Sequence, residues 1–309
     1  MADGNMTRDE YHTQLRSYWD QVRQSEGFDV GNVVLPPWMN GMFSGLVPYD
    51  CGVNDDYPNS DLVKDYGRVG LHRYNLLKGT NFQLSSLIKF NMLSNPVSSY
   101  YMTLAAESLD RTGGRSSAEF RVRVDEREFG TLDLACSVAR IVGEGCTVTT
   151  NKPFVPHFHQ GAVGDGIFEG ELPDWPSDFS DENRFYVLKE SEIWSSEWIR
   201  MYMTLVVCGN DRSITNKLGR SKKVLLPLKI VEAVIETKTG DVKKTPSERL
   251  NALNAHVYIT FTGLEEPRAH GQIFEIGKHL KRKAVIRRVV DKDTQYLSLV
   301  GKLFGCTRD

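Results

Sequence analysis

One stretch, Asn59 to Ile141, constrains the fold more than any other. Its apolar residues recur at helical spacing and then switch to alternation. Val63, Tyr66, Gly70, Tyr74 and Leu77 fall three or four residues apart, which places them on one face of a helix. Leu62 and Val69 widen that stripe. Asn59 or Ser60 stands where an N-cap belongs, Asp61 and Asp65 suit the early turns, and Lys78 before Gly79 is a stop signal. Gly67 and Gly70 each cost about 1 kcal/mol against Ala inside a helix. Close approach to a sheet is the reason expected for them.

Phe82, Leu84, Leu87, Ile88 and Phe90 read as the first strand, with the period broken at Ser85 and Ser86, where a bulge is expected. Asn91 to Pro96 reads as a turn. Tyr100, Met102, Leu104 and Ala106 alternate with smaller or polar residues. Phe120, Val122 and Val124 alternate with Glu119, Arg121 and Arg123. After a turn over Asp125 to Gly130, the residues Leu132, Leu134, Cys136 and Val138 return on one face. Period two with one charged face predicts an antiparallel sheet that is wet on one side. The helix before it supplies the cover of the dry side, where each large side chain contributes roughly 1.5–3 kcal/mol.

Outside this unit the chain divides by composition. Residues 1–58 are an N-terminal helix and an extended loop, 59–142 the helix-and-sheet domain, 143–180 a Gly/Pro-rich acidic linker, and 181–309 a second α+β domain of similar plan. Thr7-Arg8-Asp9-Glu10 matches a capping box. Tyr11, Leu15, Tyr18 and Val22 follow at 4-3-4 spacing, with Trp19 beside them, and the helix is expected to end near Ser25. Two readings of that seam stand: it packs on its own domain, or it is a partner-binding surface. In the loop that follows, Trp38, Met39, Met42 and Phe43 either pin the chain to the core or meet a partner. In the second unit, Asn183 to Ser191 and the apolar run Trp194 to Val207 read as strands, the latter buried on both faces. Val231, Ala233 and Ile235 share one face of another. Thr245-Pro246-Ser247-Glu248 starts a short helix. Val257, Ile259 and Phe261 form a strand, and Ala284 to Val290 pairs with Tyr296 to Leu303 across a turn at Asp291 to Thr294.

Composition excludes several classes. No apolar run approaches the ~20 residues of a membrane span, and the polar, acidic N-terminus is not a secretory signal. The five cysteines (Cys51, Cys136, Cys146, Cys208 and Cys306) are odd in number and far apart, which predicts reduced thiols in a nuclear or cytosolic compartment. The chain carries 18 basic and 30 acidic residues up to Asp211 but 20 basic and 10 acidic from Arg212 onward, −12 against +10. Such a division either docks one half on the other or presents a basic surface to an acidic partner. The densest basic run, His279, Lys281, Arg282, Lys283, Arg287 and Arg288, lacks interleaved aromatics and reads as a solvated sheet edge rather than a nucleic-acid surface.

Catalytic signatures are missing. There is no Gly-x-Ser-x-Gly elbow, His-Glu-x-x-His pair, phosphate loop or dinucleotide fingerprint. Gly161 to Gly166 is glycine-rich without the Lys-Ser/Thr ending, and His157 and His159 lack further ligands at metal spacing. No catalytic residue, cofactor or metal is expected.

A helix wrapped by a four-stranded meander is the cystatin/monellin plan, and the wording is closer still. Val69 to Asn75, Leu77 to Phe82, Lys189 to Glu192, Asp211 to Thr215, Val257 to Phe261 and Arg282 to Arg288 resemble a plant-restricted, crucifer-expanded family of cystatin/monellin-like proteins named for its Male Sterile Five member. The likeness spans nearly the whole chain. It implies a nuclear or cytoplasmic protein with a role in reproductive development, male meiosis and pollen fertility included, and no known activity. The expected function is a non-enzymatic, protein-binding regulator of unknown partner. The alternative is a cysteine protease inhibitor with divergent loops. Inhibitory cystatins insert a Gln-Val-Val-Ala-Gly-type hairpin and a Pro-Trp hairpin. The matching segments here, Asn91 to Pro96 and Asp125 to Gly130, carry neither wedge.

Overall fold

A computed structural model describes residues 6–39, 45–52, 57, 59–109, 114–144, 161–210, 212, 228–238, 245–263 and 281–304. The strands are β1 (Leu46–Asp50), β2 (Phe82–Leu93), β3 (Ser99–Leu109), β4 (Arg115–Glu126), β5 (Leu132–Ile141), β6 (Phe185–Val187), β7 (Lys229–Glu236), β8 (Ala255–Thr262), β9 (Arg282–Val290) and β10 (Leu297–Phe304). The helices are α1 (Arg8–Gln24), α2 (Ser60–Lys78), α3 (Glu190–Ser195), α4 (Glu197–Asn210) and α5 (Pro246–Leu250). All ten strands join one sheet in the order β1-β2-β3-β4-β5-β10-β9-β8-β7-β6, and every neighbouring pair is antiparallel. The boundary expected over 143–180 therefore does not interrupt the sheet: β5 pairs with β10, Leu297 opposite Cys136 and Gly301 opposite Leu132.

On the inner face of the N-terminal half, α2 lies across β2 to β5 as its pattern requires. Tyr66, Tyr74, Phe120 and Val122 meet in one buried cluster, with the Tyr74 and Phe120 rings edge to face at 4.9 Å. Gly70 permits the approach: a Cβ there would stand 2.3 Å from Val122 Cγ1. Gly79 ends the helix at φ 66°, its N–H donating to the Asn75 carbonyl. The bulge in β2 falls between Leu84 and Ser86. Asn91, expected in a turn, continues β2 opposite Tyr101, and the strand runs on to Leu93.

A bulge between β4 and β5 reassigns a residue that alternation had placed inward. Arg123 pairs with Val138 and Val124 with Cys136, leaving Ser137 as the extra residue. Val138 is thereby turned to the outer face, where it packs with Tyr18 and Val22. An extra residue inverts side-chain direction beyond it. In β7 the shift between Ile230 and Glu232 does the same to Val231, which is 45% exposed while Ala233 and Ile235 are buried.

The outer face, expected to be wet, is covered in both halves. In the N-terminal half α1 and the segment after it bring Tyr18, Val22 and Phe28 onto Leu46, Leu93 and Tyr101. Glu26 pairs with Arg140 at 2.6 Å, and Asp29 pairs with Lys89 and, at 3.0 Å, with Arg121. In the C-terminal half residues 161–180, expected as a linker, lie over the sheet: Leu172, Trp175 and Phe179 pack around Tyr258, Phe185 and Val285. Asp165 pairs with Lys238 at 3.0 Å and Asp174 with Lys302 at 3.6 Å. Two acidic residues from the first part of the chain thus meet basic residues of the last part at the surface.

The run Trp194 to Val207 is not a strand. It belongs to α3 and α4, and α4 buries Ile199, Tyr202, Leu205 and Val206 against α2 and the sheet. A segment buried on most sides has no polar face to reveal its period. The strand expected over Asn183 to Ser191 shrinks to β6, because Lys189 and Glu192 open α3. The basic run is not an edge either. β9 lies between β10 and β8, and Arg282 and Arg288 are 7% and 0% exposed. His279 falls outside the described residues, as do His157, His159, Met42 and Phe43.

Candidate functional site

A cleft of about 250 Å³ lies where α2, α4, the start of β2 and the end of α5 converge. Arg68 and His72 come from α2, Trp198 and Met201 from α4, Phe82 and Leu84 from β2, and Leu250 and Asn251 from the end of α5. Asn75 fixes the rim. Its Oδ1 accepts from the Phe82 N–H and the Thr80 hydroxyl, each within 2.9 Å, and its Nδ2 donates to the Phe82 carbonyl at 2.8 Å.

Behind the cleft stands a cationic-aromatic stack. The His72 and Trp198 rings lie parallel at 5.4 Å, and Tyr202 meets both edge-on at 5.6 and 5.1 Å. The Arg288 guanidinium sits 4.8 Å from the Trp198 ring centre. Its Nη1 donates to His72 Nε2 at 3.2 Å, and its Nη2 donates to the Leu250 and Ala252 carbonyls at 3.1 and 2.5 Å. An arginine has only donors, so His72 Nε2 is an acceptor and its proton resides on Nδ1. Burial and the neighbouring Arg288 charge hold the His72 pKa well below the usual imidazole range. Burial pushes the Tyr202 phenol up to about 12, against the pull of Arg288. Carbonyls and ring faces stabilise the Arg288 charge where a carboxylate would be the usual partner.

Two further charged groups are locked inside. Glu126 accepts from Tyr66 at 2.7 Å, from Arg212 at 2.9 Å and from the Ser98 N–H at 2.9 Å. Burial, then the Glu126 charge, raises the Tyr66 and Tyr100 phenols well above their usual range. Glu236 binds His256 Nδ1 at 2.8 Å and Tyr258 at 2.7 Å, and also the Arg184 guanidinium. Burial would raise the Glu236 pKa, but these three hydrogen bonds outweigh it and leave the carboxyl below its ordinary value. The Cys136 thiol is pushed up to about 12 by burial, which removes it as a nucleophile at neutral pH. Among the described residues no group of three or more His, Cys, Asp and Glu is arranged to hold a metal ion. Nor, among them, is any helix long and apolar enough to cross a membrane.

The seam Tyr11, Leu15, Tyr18 and Val22 stays together, on the side of the sheet opposite the cleft. Tyr18 and Val22 are 1% and 0% exposed, and the Tyr18 oxygen accepts from the Leu46 N–H at 2.8 Å. Tyr11 lies 4.5 Å from Trp38, and Leu15 is half-buried against the same cluster. Of the cleft residues, spacing singled out Phe82 and Leu84 as part of a strand, but it did not bring the lining together. Behind the cleft Arg288 left a signal, since it shares the alternation of Ala284, Ile286 and Val290.

Comparison with known proteins agrees with this architecture. A family model described as Protein MS5 matches residues 172–299. The UPF0725 protein At1g23950 of Arabidopsis thaliana is 46% identical over 98% of this chain and 92% of its own length. The UPF0725 protein At1g23960 of the same plant is 48% identical over 97% of each chain. The crystal structure of MS5 from Brassica napus superposes with a TM-score of 0.56 at 30% identity, over 82% of this chain and all of that one.

Proposed function

The chain belongs to the plant Protein MS5 family, and from that premise we propose that it acts by holding a partner protein rather than by transforming a substrate. The observation that carries the reading is how three buried reactive groups among the described residues are held. His72 Nε2 is taken by Arg288, His256 Nδ1 by Glu236, and the Cys136 thiol is kept protonated. What the cleft offers instead is a shaped surface of Trp198, Phe82 and Leu84 beside the Arg68 guanidinium, which is 44% exposed. Apolar and aromatic anchors next to a cation are the composition of a recognition site.

In this reading each half of the sheet is one cystatin/monellin-like unit: an edge strand, a helical cover on the inner face, and a four-strand meander. The two meet at β5 and β10. The setting follows the family resemblance, reproductive development inside the cell, in nucleus or cytoplasm. Affinity capture from flower buds tests it. The wild-type chain is expected to retain a specific protein that Arg68→Glu loses while keeping its circular dichroism spectrum. Capture of the same proteins by the wild type, the variant and an unrelated bait would end the proposal.

A further inference from the structure

Thr245-Pro246 is the one Ser-Pro or Thr-Pro dipeptide in the 309 residues. It stands at the surface: Thr245, Pro246, Ser247 and Glu248 are all exposed. The Thr245 backbone is extended, at φ −64° and ψ 158°, as a peptide must be to lie in a kinase groove. The threonine side chain is also half of a latch. Its hydroxyl donates to Glu248 Oε2 at 2.9 Å and accepts from the Glu248 N–H, while its own N–H donates to the same carboxylate at 2.7 Å.

That latch begins α5, and α5 ends at the cleft. Leu250 and Asn251 line the cavity. The Leu250 and Ala252 carbonyls hold the guanidinium of Arg288, which stacks on Trp198 and bonds His72. Five residues make a helix too short to persist without its cap and its docking contacts. One surface hydroxyl is thus wired through a single helical turn to the stack behind the cleft.

We propose that Thr245 is a phosphorylation site for a proline-directed protein kinase, and that its phosphate unfastens α5 from Arg288 and reshapes the wall of the cleft. The kinase transfers the γ-phosphoryl group of ATP to Thr245 Oγ1. The hydroxyl proton is lost, the new P–O bond replaces the β–γ anhydride bond, and ADP leaves. The product carries about −1.5 to −2 charges at pH 7. The hydroxyl donor to Glu248 no longer exists, and a phosphate stands beside that carboxylate. Like-charge repulsion opens the capping box, and the carbonyls at the far end of α5 loosen from the guanidinium. The proposal is independent of whether the cleft holds a partner protein.

The test uses the full-length chain, ATP–Mg and a proline-directed kinase of the mitogen-activated class, with mass spectrometry to locate phosphate. One phosphate at Thr245 is expected in the wild type, and none at that residue in Pro246→Ala. The phosphorylated chain is expected to melt about 2–4 °C lower with a changed tryptophan emission. Glu248→Gln, which keeps the hydrogen bonds and removes the repelling charge, is expected to shrink both effects. Absence of phosphate at Thr245 while a control substrate is turned over would overturn the site. Equal incorporation in Pro246→Ala would overturn the recognition. Phosphate at Thr245 with unchanged melting and emission would overturn the coupling to the cleft.

Discussion

The two halves of the sheet run the same course and are covered by different means. In the N-terminal half the inner cover is α2, a helix that keeps polar residues such as Asp65, His72 and Arg73 buried beside its apolar ones, notched at Gly67 and Gly70 so that it lies close on β3 and β4. In the C-terminal half it is α4, apolar through most of its length and wedged between α2 and the sheet. Their buried charges differ as well. Glu126 is matched by a cation, Arg212, whereas Arg288 is held by carbonyls and aromatic faces. One strand plan therefore accepts two solutions, provided each inner face is filled and each buried charge has hydrogen-bond partners.

The sharpest way to break that comparison is at Arg288. Arg288→Ala strands two carbonyls and His72 and opens a cavity, so a loss of about 3–5 kcal/mol is expected in denaturant unfolding. Arg288→Met, which fills the space without a charge, is expected to cost less than half of that. Equal losses in the two variants would mean that the hydrogen bonds, not the packing, hold α5 and α4 together. Next in size is Gly70→Ala. The new Cβ would overlap Val122, and a net loss of about 1–3 kcal/mol is expected despite the better helix propensity. Adding Val122→Ala is expected to recover part of it. No loss at all would show that α2 sits farther from the sheet.

Two buried carboxylates sharpen the comparison through pH. Burial pushes Asp65 up to about 6, against the opposing pull of Arg68. An acid whose folded pKa lies above its unfolded value supports the fold while protonated. That contribution is complete below about pH 4 and is lost as pH rises through the folded value. Asp65→Asn is therefore expected to raise stability by about 1–2 kcal/mol at pH 7.5 and to change little at pH 4. Glu236 has the opposite sign. Its folded pKa is depressed, so its support is present above the unfolded value of roughly 4.3 and fades as pH falls through the folded one. Glu236→Gln is expected to cost most at neutral pH and progressively less in acid. Parallel pH profiles for the two variants would contradict these assignments. The smallest effect belongs to the outer cover: Thr7→Ala removes the α1 capping box and is expected to cost about 1 kcal/mol, seen first as faster amide exchange in α1.

Legibility followed local period. α2 was readable from end to end because its apolar residues recur every three or four positions and Gly79 marks its stop, although its polar residues Asp65, His72 and Arg73 are buried as well. The meander β2 to β5 was readable from its alternation, although its outer face is covered too, and α1 from its capping box. The readings failed where a residue count or a neighbour intervened. Ser137 and Val231 are single extra residues that reverse the side-chain directions around them, and alternation cannot announce them. Residues 161–180 have a linker's composition, yet Phe168, Trp175 and Phe179 make them a cover. Of the cleft, Phe82 and Leu84 were read as part of a strand, and Arg288 behind it left a trace, a cation on the apolar side of its strand. His72, Trp198 and Leu250 come from three elements that no spacing rule connects.

Local pattern alone determined which segments are amphipathic, where α1 and α5 begin, and that the strands lie antiparallel, since these follow from side-chain period and capping chemistry within a few residues. The pairing of β5 with β10 was decided only by the tertiary fold, as were the helical state of Glu197–Asn210, the burial of Arg288 and the meeting of α2, α4 and α5 around a cleft. Each of these depends on contacts between residues tens to hundreds of positions apart, and their free energy arises only once the layers exclude water together.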